Sequence, residues 1–158
     1  MKKITLLAAA AALALMAAPA VASAQWYAGA AYTNFDYDDA GIDAVTGRLG
    51  YRFNPNFAVE GEASTGVSDD DAELNYNAGL YAMGILPVAS NFDLHGRVGY
   101  QTTEVDTVLG GVSDDGLGYG VGATWRLTPG FGLRADWTRM EADDGDSDAI
   151  SLGGAFNF

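Results

Sequence analysis

From Gln25 onward the chain alternates apolar and polar residues with a period of two, and through eight successive segments the apolar register carries no charge. Alternation of this kind belongs to strands with two different faces. Clusters of Gly, Asp, Asn and Pro punctuate it, and the predicted strands are 25–33, 44–53, 57–66, 74–86, 92–104, 116–127, 131–141 and 149–158. The apolar register reads Trp26, Ala28, Ala30, Tyr32 in the first strand and Ile150, Leu152, Gly154, Phe156, Phe158 in the last. The other register holds Arg48, Arg52, Glu60, Glu62, Asp93, His95, Arg97, Arg126, Arg134 and Asp136 among Gly, Ser, Thr and Asn.

Periodicity alone does not say which face looks outward, because a soluble lipocalin-like barrel would turn its apolar face in. The aromatic residues decide it. Fourteen of them lie on the apolar register, mostly at strand ends: Trp26, Phe53, Phe57, Phe92, Trp125, Phe131 and Phe158 at one level, Tyr32, Tyr76, Tyr100, Tyr119 and Trp137 at the other. Two aromatic girdles around a band of Ala, Val, Leu and Gly are the lipid-facing surface of a transmembrane barrel. Strands of about ten residues suit a tilted span, and a closed sheet satisfies every backbone group in lipid. The expected fold class is all-β: an eight-stranded antiparallel up-and-down transmembrane β-barrel.

The first residues fit that destination. Lys2 and Lys3, the apolar stretch 4–18 and the small-x-small site Ala22-Ser23-Ala24 read as a signal peptide cleaved after Ala24. The expected organisation is therefore a signal peptide at 1–24 and one barrel domain at 25–158. That mature part holds six arginines against 21 acidic residues, so nucleic acid is not an expected partner. With no cysteine, neither disulfides nor thiolate metal sites contribute.

Three connections read as tight turns, at Asn54-Pro55-Asn56, 87–91 and Thr128-Pro129-Gly130; four read as longer acidic loops, at 34–43, 67–73, 105–115 and 142–148. Short turns face the periplasm in bacterial barrels, which would put both mature termini there. The loops and adjoining strand ends hold 17 of the 21 acids. They read as solvated and mutually repelling, with weak divalent-cation attraction as a second possibility. Asp144-x-Asp146-x-Asp148 lacks the glycine and the terminal acid of a calcium loop, having Ala149 and Ala155 at those places. Phe35, Tyr37 and Ile42 stand out as loop residues able to meet a partner.

An eight-stranded barrel is just wide enough for side chains to fill. Five inward arginines, Arg48, Arg52, Arg97, Arg126 and Arg134, then face Glu60, Glu62, Asp93 and Asp136, with His95 beside them, and read as a plug. A turn pairing Phe53 with Phe57 sets Arg48 opposite Glu62. The alternative, a charged selectivity filter, needs open water around those groups. Catalysis has little footing: His95 is the one histidine, Ser151 lies on the distant last strand, and no Gly-x-Ser-x-Gly turn occurs. No cofactor, metal site or enzyme activity is expected.

The segments Trp26-Tyr27-Ala28-Gly29-Ala30, Gly47 to Phe53, Arg97-Val98-Gly99-Tyr100, Gly118 to Gly122 and Ile150 to Phe158 resemble small outer-membrane β-barrels of the OmpA-type barrel-domain and OmpX-like kind, within the porin-family proteins. The resemblance covers the whole mature part. It implies outer-membrane lipid, lipopolysaccharide and the barrel-assembly machinery as partners, with the last reading Phe158 and Phe156 as a C-terminal signal. A monomer is expected. Such families include structural proteins and adhesins, narrow pores and a few lipid-A-modifying enzymes. The first class is the leading expectation, a low-conductance porin the second and an enzyme the third.

Overall fold

The computed structural model describes residues 25–37, 40–67, 73–107, 110–142 and 145–158; the leader and its cleavage residues Ala22 and Ala24 lie outside them. The described chain forms eight strands: β1 (Gln25–Tyr37), β2 (Ala40–Asn54), β3 (Phe57–Gly66), β4 (Glu73–Ala89), β5 (Phe92–Thr107), β6 (Gly110–Thr128), β7 (Phe131–Ala142) and β8 (Gly145–Asn157). Each pairs antiparallel with the next, and β1 pairs with β8 to close the barrel. Closure leaves no edge strand among the described residues, so each strand has a ladder partner on both sides.

The charge-free register faces outward. Leu152 is 66% exposed and Val121 59%, in a continuous apolar band between the two aromatic levels. A soluble monomer does not carry an apolar surface of that extent, whereas lipid covers it without cost. Tyr51 is the exception on this face: the rings of Trp26 and Phe53, each 5.0 Å away centre to centre, cover it.

The tight turns are shorter than their sequence reads. Asn54 pairs with Phe57, and the register shifts between Arg52 and Asn54, so a two-residue turn and a bulge at Phe53 replace the expected Phe53–Phe57 pair. The bulge absorbs the difference, and Arg48 still lies opposite Glu62. Asn54 Oδ1 accepts from the backbone N–H of Asn56 (2.8 Å) and Phe57 (3.0 Å), a side chain standing in for ladder partners. Thr128 Oγ1 caps Phe131 N in the same way at 3.0 Å. β4 runs three residues beyond its expected end, and its register shifts at Val88, between the Pro87–Asp93 and Ala89–Phe92 pairs, as the register does at Phe53 before the first turn.

The larger difference is at the opposite end. Much of what reads as acidic loop is ladder: β1 and β2 continue five pairs past Tyr32–Val45 to Tyr37–Ala40, and β5 and β6 seven pairs past Tyr100–Leu117 to Thr107–Gly110. The acidic residues there sit on paired strands projecting beyond the girdle. Asp43 accepts from Asn34 Nδ2 at 2.8 Å, and that bond, with one from Tyr32, holds its carboxyl below the usual range. Phe35 and Ile42, expected to face a partner, are instead 3% and 6% exposed and point into the barrel, where they pack with Ala44, Met140 and Ala149. They lie on the inward register of the prolonged hairpin. The side chain of Tyr37 lies outside the described set.

Candidate functional site

The interior is layered along the barrel axis. At the end opposite the tight turns lies the apolar cap of Phe35, Ile42 and Met140. Beneath it a hydroxyl chain crosses three strands, Thr33 Oγ1 to Thr46 Oγ1 to Ser64 Oγ, each link 2.7 Å. Then comes a knot of charge. Arg134 donates to both oxygens of Glu60, at 2.5 and 3.1 Å, and to Asp136 Oδ1 at 2.9 Å. Arg97 grips Glu62 with both terminal nitrogens, at 2.9 and 2.8 Å, and reaches Glu60 at 3.3 Å. Arg48 bridges Glu62 (3.3 Å), Asp136 (2.8 Å) and Ser151 Oγ (3.0 Å). His95 Nε2 lies 2.7 Å from Asp136 Oδ1.

Three arginines thus meet three carboxylates, and Glu60, with no solvent exposure, sits at the centre. Charges removed from water are tolerated only when paired and bonded this fully. Planar guanidinium forks supply the two-point contacts.

Two tyrosines that sequence reasoning missed complete the knot. Tyr27 donates to Glu60 Oε2 at 2.7 Å, and the Arg97 guanidinium stacks 3.9 Å from the centre of the Tyr81 ring, whose hydroxyl bonds Gln101 at 2.7 Å. Both fall on the charge-bearing register of their strands, and that parity was the signal available to find them. Glycine makes their room. A Cβ at Gly50 would overlap the Tyr27 ring, so Gly50→Val is expected to expel the ring and its bond to Glu60, lowering stability by about 1–3 kcal/mol in urea titration of the refolded barrel. An unchanged midpoint would show that Tyr27 is dispensable. At Gly122 a Cβ would stand 2.7 Å from Asp136 Oδ1 and 2.5 Å from His95 Nε2.

Arg52, Asp93 and Arg126 do not join the knot. They form a separate group by the tight turns, where Arg52 Nη2 (3.1 Å) and Arg126 Nη1 both bond Asp93 Oδ2. Between the groups lie Tyr27, Ala58, Met83 and Ile85 in mutual contact. Free space shrinks along this path, from a 210 Å³ cavity at the turn-end mouth through 50 Å³ beside His95 and Arg134 to 10 Å³ between the knot and the cap. The last is about the room of a single water.

Ser151 is not distant, as its position on the last strand had implied. The β7–β8 hairpin sets it opposite Asp136, and closure of the barrel sets it opposite Thr33, within reach of Arg48 across β1. Its hydroxyl is engaged by Arg48 and is 4% exposed, so it lacks both the base contact and the access that a nucleophile needs. Asp146 and Asp148 are drawn to Arg139, at 3.0 and 3.6 Å, which puts a cation where a calcium loop would need open oxygens. Phe156 packs on Phe131 with centroids 4.7 Å apart, and Phe158 N donates to Trp26 O at 2.9 Å. The chain end is thereby part of the seam between β8 and β1.

Residues 5–158 match the family model of the outer membrane protein beta-barrel domain. The chain belongs to the outer-membrane β-barrel family. That membership makes the bacterial outer membrane its location and lipid the solvent of its apolar face. Among solved structures, this outer-membrane barrel is similar to the N-terminal β-barrel domain of Pseudomonas aeruginosa OprF, with TM-score 0.70 and 15% identity over 86% of this chain and 100% of that one. It is also similar to OprG of the same organism (TM-score 0.64, 13% identity, 87% and 96% covered). A third is Ail, the attachment invasion locus protein of Yersinia pestis, solved with the heparin analogue sucrose octasulfate (TM-score 0.61, 18% identity, 85% and 97% covered). At such identities the likeness is one of fold. No curated protein matches the chain.

Proposed function

We propose that this barrel is a monomeric structural or surface-interaction protein rather than a pore or an enzyme, with its tight turns and chain ends in the periplasm and its acidic hairpin ends outside. The observation that carries this reading is the interior: a self-neutralising knot under an apolar cap, with room for about one water between them. A conducting filter needs its charges in water. An enzyme needs an exposed reactive group, and His95 is 6% exposed with its Nε2 held at Asp136.

The outward hairpins set the chemistry of any partner. Asp36, Asp43, Glu141, Asp146 and Asp148 project there, with Arg139 as the one basic residue on that side among the described residues. A polyanion of the kind seen with Ail would be repelled, so the fitting partner is cationic.

The second reading, a low-conductance porin, draws on the open mouth at the turn end. Liposome swelling separates the two: vesicles carrying the protein are expected to exclude arabinose as protein-free vesicles do, and swelling in arabinose would favour the porin. Glu62 holds Arg48 and Arg97 together, so Glu62→Ala is expected to loosen the knot, lowering the melting temperature or admitting ions. Wild-type values of both in the variant would remove Glu62 from the closure. An altered lipid A profile in a deletion strain would revive the enzyme reading.

A further inference from the structure

The five inward arginines are not shared evenly among the four inward carboxylates. Arg48, Arg97 and Arg134 are balanced by Glu60, Glu62 and Asp136 within the knot. Arg52 and Arg126 have Asp93 alone, and both converge on its Oδ2 while its Oδ1 is buried without a partner among the described residues. Two like charges held at one oxygen repel, and one positive charge is left over. Their donors are not used up either: a guanidinium has five N–H groups, and among the described residues the one further side-chain hydrogen bond beyond Asp93 is Arg126 Nη2 to Ser90 O at 3.0 Å. The two side chains are 23% and 25% exposed, facing the 210 Å³ cavity rimmed by Pro55, Pro87 and Pro129.

We propose that this mouth binds a small oxyanion, a phosphate, sulfate or carboxylate end group, bridged by Arg52 and Arg126. Guanidinium forks match oxyanion geometry, and an incoming negative charge cancels both the surplus and the repulsion. Partial exposure keeps the desolvation cost low, unlike in the knot. The ligand stops at the mouth, because the apolar cluster of Tyr27, Ala58, Met83 and Ile85 lies beyond it and offers an anion no donor in place of water. The site needs only the barrel interior and is independent of what the outward hairpins do.

The test is a titration of inorganic phosphate into the protein in phosphatidylcholine nanodiscs, followed on the arginine Nε–H resonances. Saturable shifts are expected at Arg52 and Arg126 and not at the outward Arg139. Arg126→Gln is expected to weaken binding about tenfold, the loss of one charge-assisted contact, and Asp93→Asn to tighten it by removing the competing carboxylate. Should Asp93→Asn fail to fold, Arg52→Gln carries the same test as Arg126→Gln. The same shifts in phosphatidylglycerol nanodiscs without phosphate would keep the site and name a lipid headgroup as the source of the anion. Linear, unsaturating shifts, equal shifts at Arg139, or an unchanged affinity in Arg126→Gln would overturn it.

Discussion

Glu60→Ala is expected to destabilise the folded barrel by about 3–5 kcal/mol, the largest loss from any interior substitution. Glu60 has no exposure and receives Arg134 twice, Arg97 once and the Tyr27 hydroxyl. Alanine removes the central acceptor and leaves three arginines facing two carboxylates out of reach of water, Arg134 keeping only Asp136 and Arg97 only Glu62. Most of the cost is the desolvation of what is left behind, so a second substitution that also removes Arg134 should recover part of it. Reversible urea unfolding in lipid vesicles gives both values. A loss under about 1 kcal/mol for Glu60→Ala would mean that water already reaches the knot.

Val121→Arg is expected to cost about 2–4 kcal/mol in the same assay, the penalty of a cation near the bilayer midplane. Val121 is 59% exposed, pairs with Gly96 and Trp137, and lies two residues from Tyr119 and four from Trp125 at the two girdle levels. In a water-soluble barrel an exposed valine changed to arginine would shift stability by no more than about 0.5 kcal/mol. Val121→Leu serves as the control, with lipid contact preserved. A small effect of Val121→Arg in vesicles would deny that this face meets hydrocarbon.

The division of faces was legible because it is a parity rule repeated over eight strands: a shift of one residue would place Arg97 or Glu60 in lipid. Arg48 opposite Glu62 was legible for the same reason, even though the turn that sets it was misread, since the bulge at Phe53 cancels the shorter turn. Strand ends were not legible. Asp, Gly and Asn clusters signal loops in water, but the hairpins past Tyr32 and Tyr100 gain their order from the ladder below, which composition does not register. Phe35 and Ile42 were misplaced by that error: two apolar residues in a supposed loop look like a binding surface, yet on a prolonged strand their parity turns them inward. Ser151 shows the other limit, because closure brings β8 beside β1 and so within reach of Arg48 on β2, 103 positions away in the chain. The split of the charges into a balanced knot and an overcharged mouth depends on side-chain reach, which periodicity does not carry.

Single-channel recording of the refolded protein in a planar bilayer tests the sealed interior most directly. Apart from rare transient openings the account predicts an electrically silent membrane, with steady steps appearing in Glu62→Ala if that variant admits ions. Stable, long-lived ionic steps from the unsubstituted protein would contradict it, because they require continuous water where the structure leaves 10 Å³.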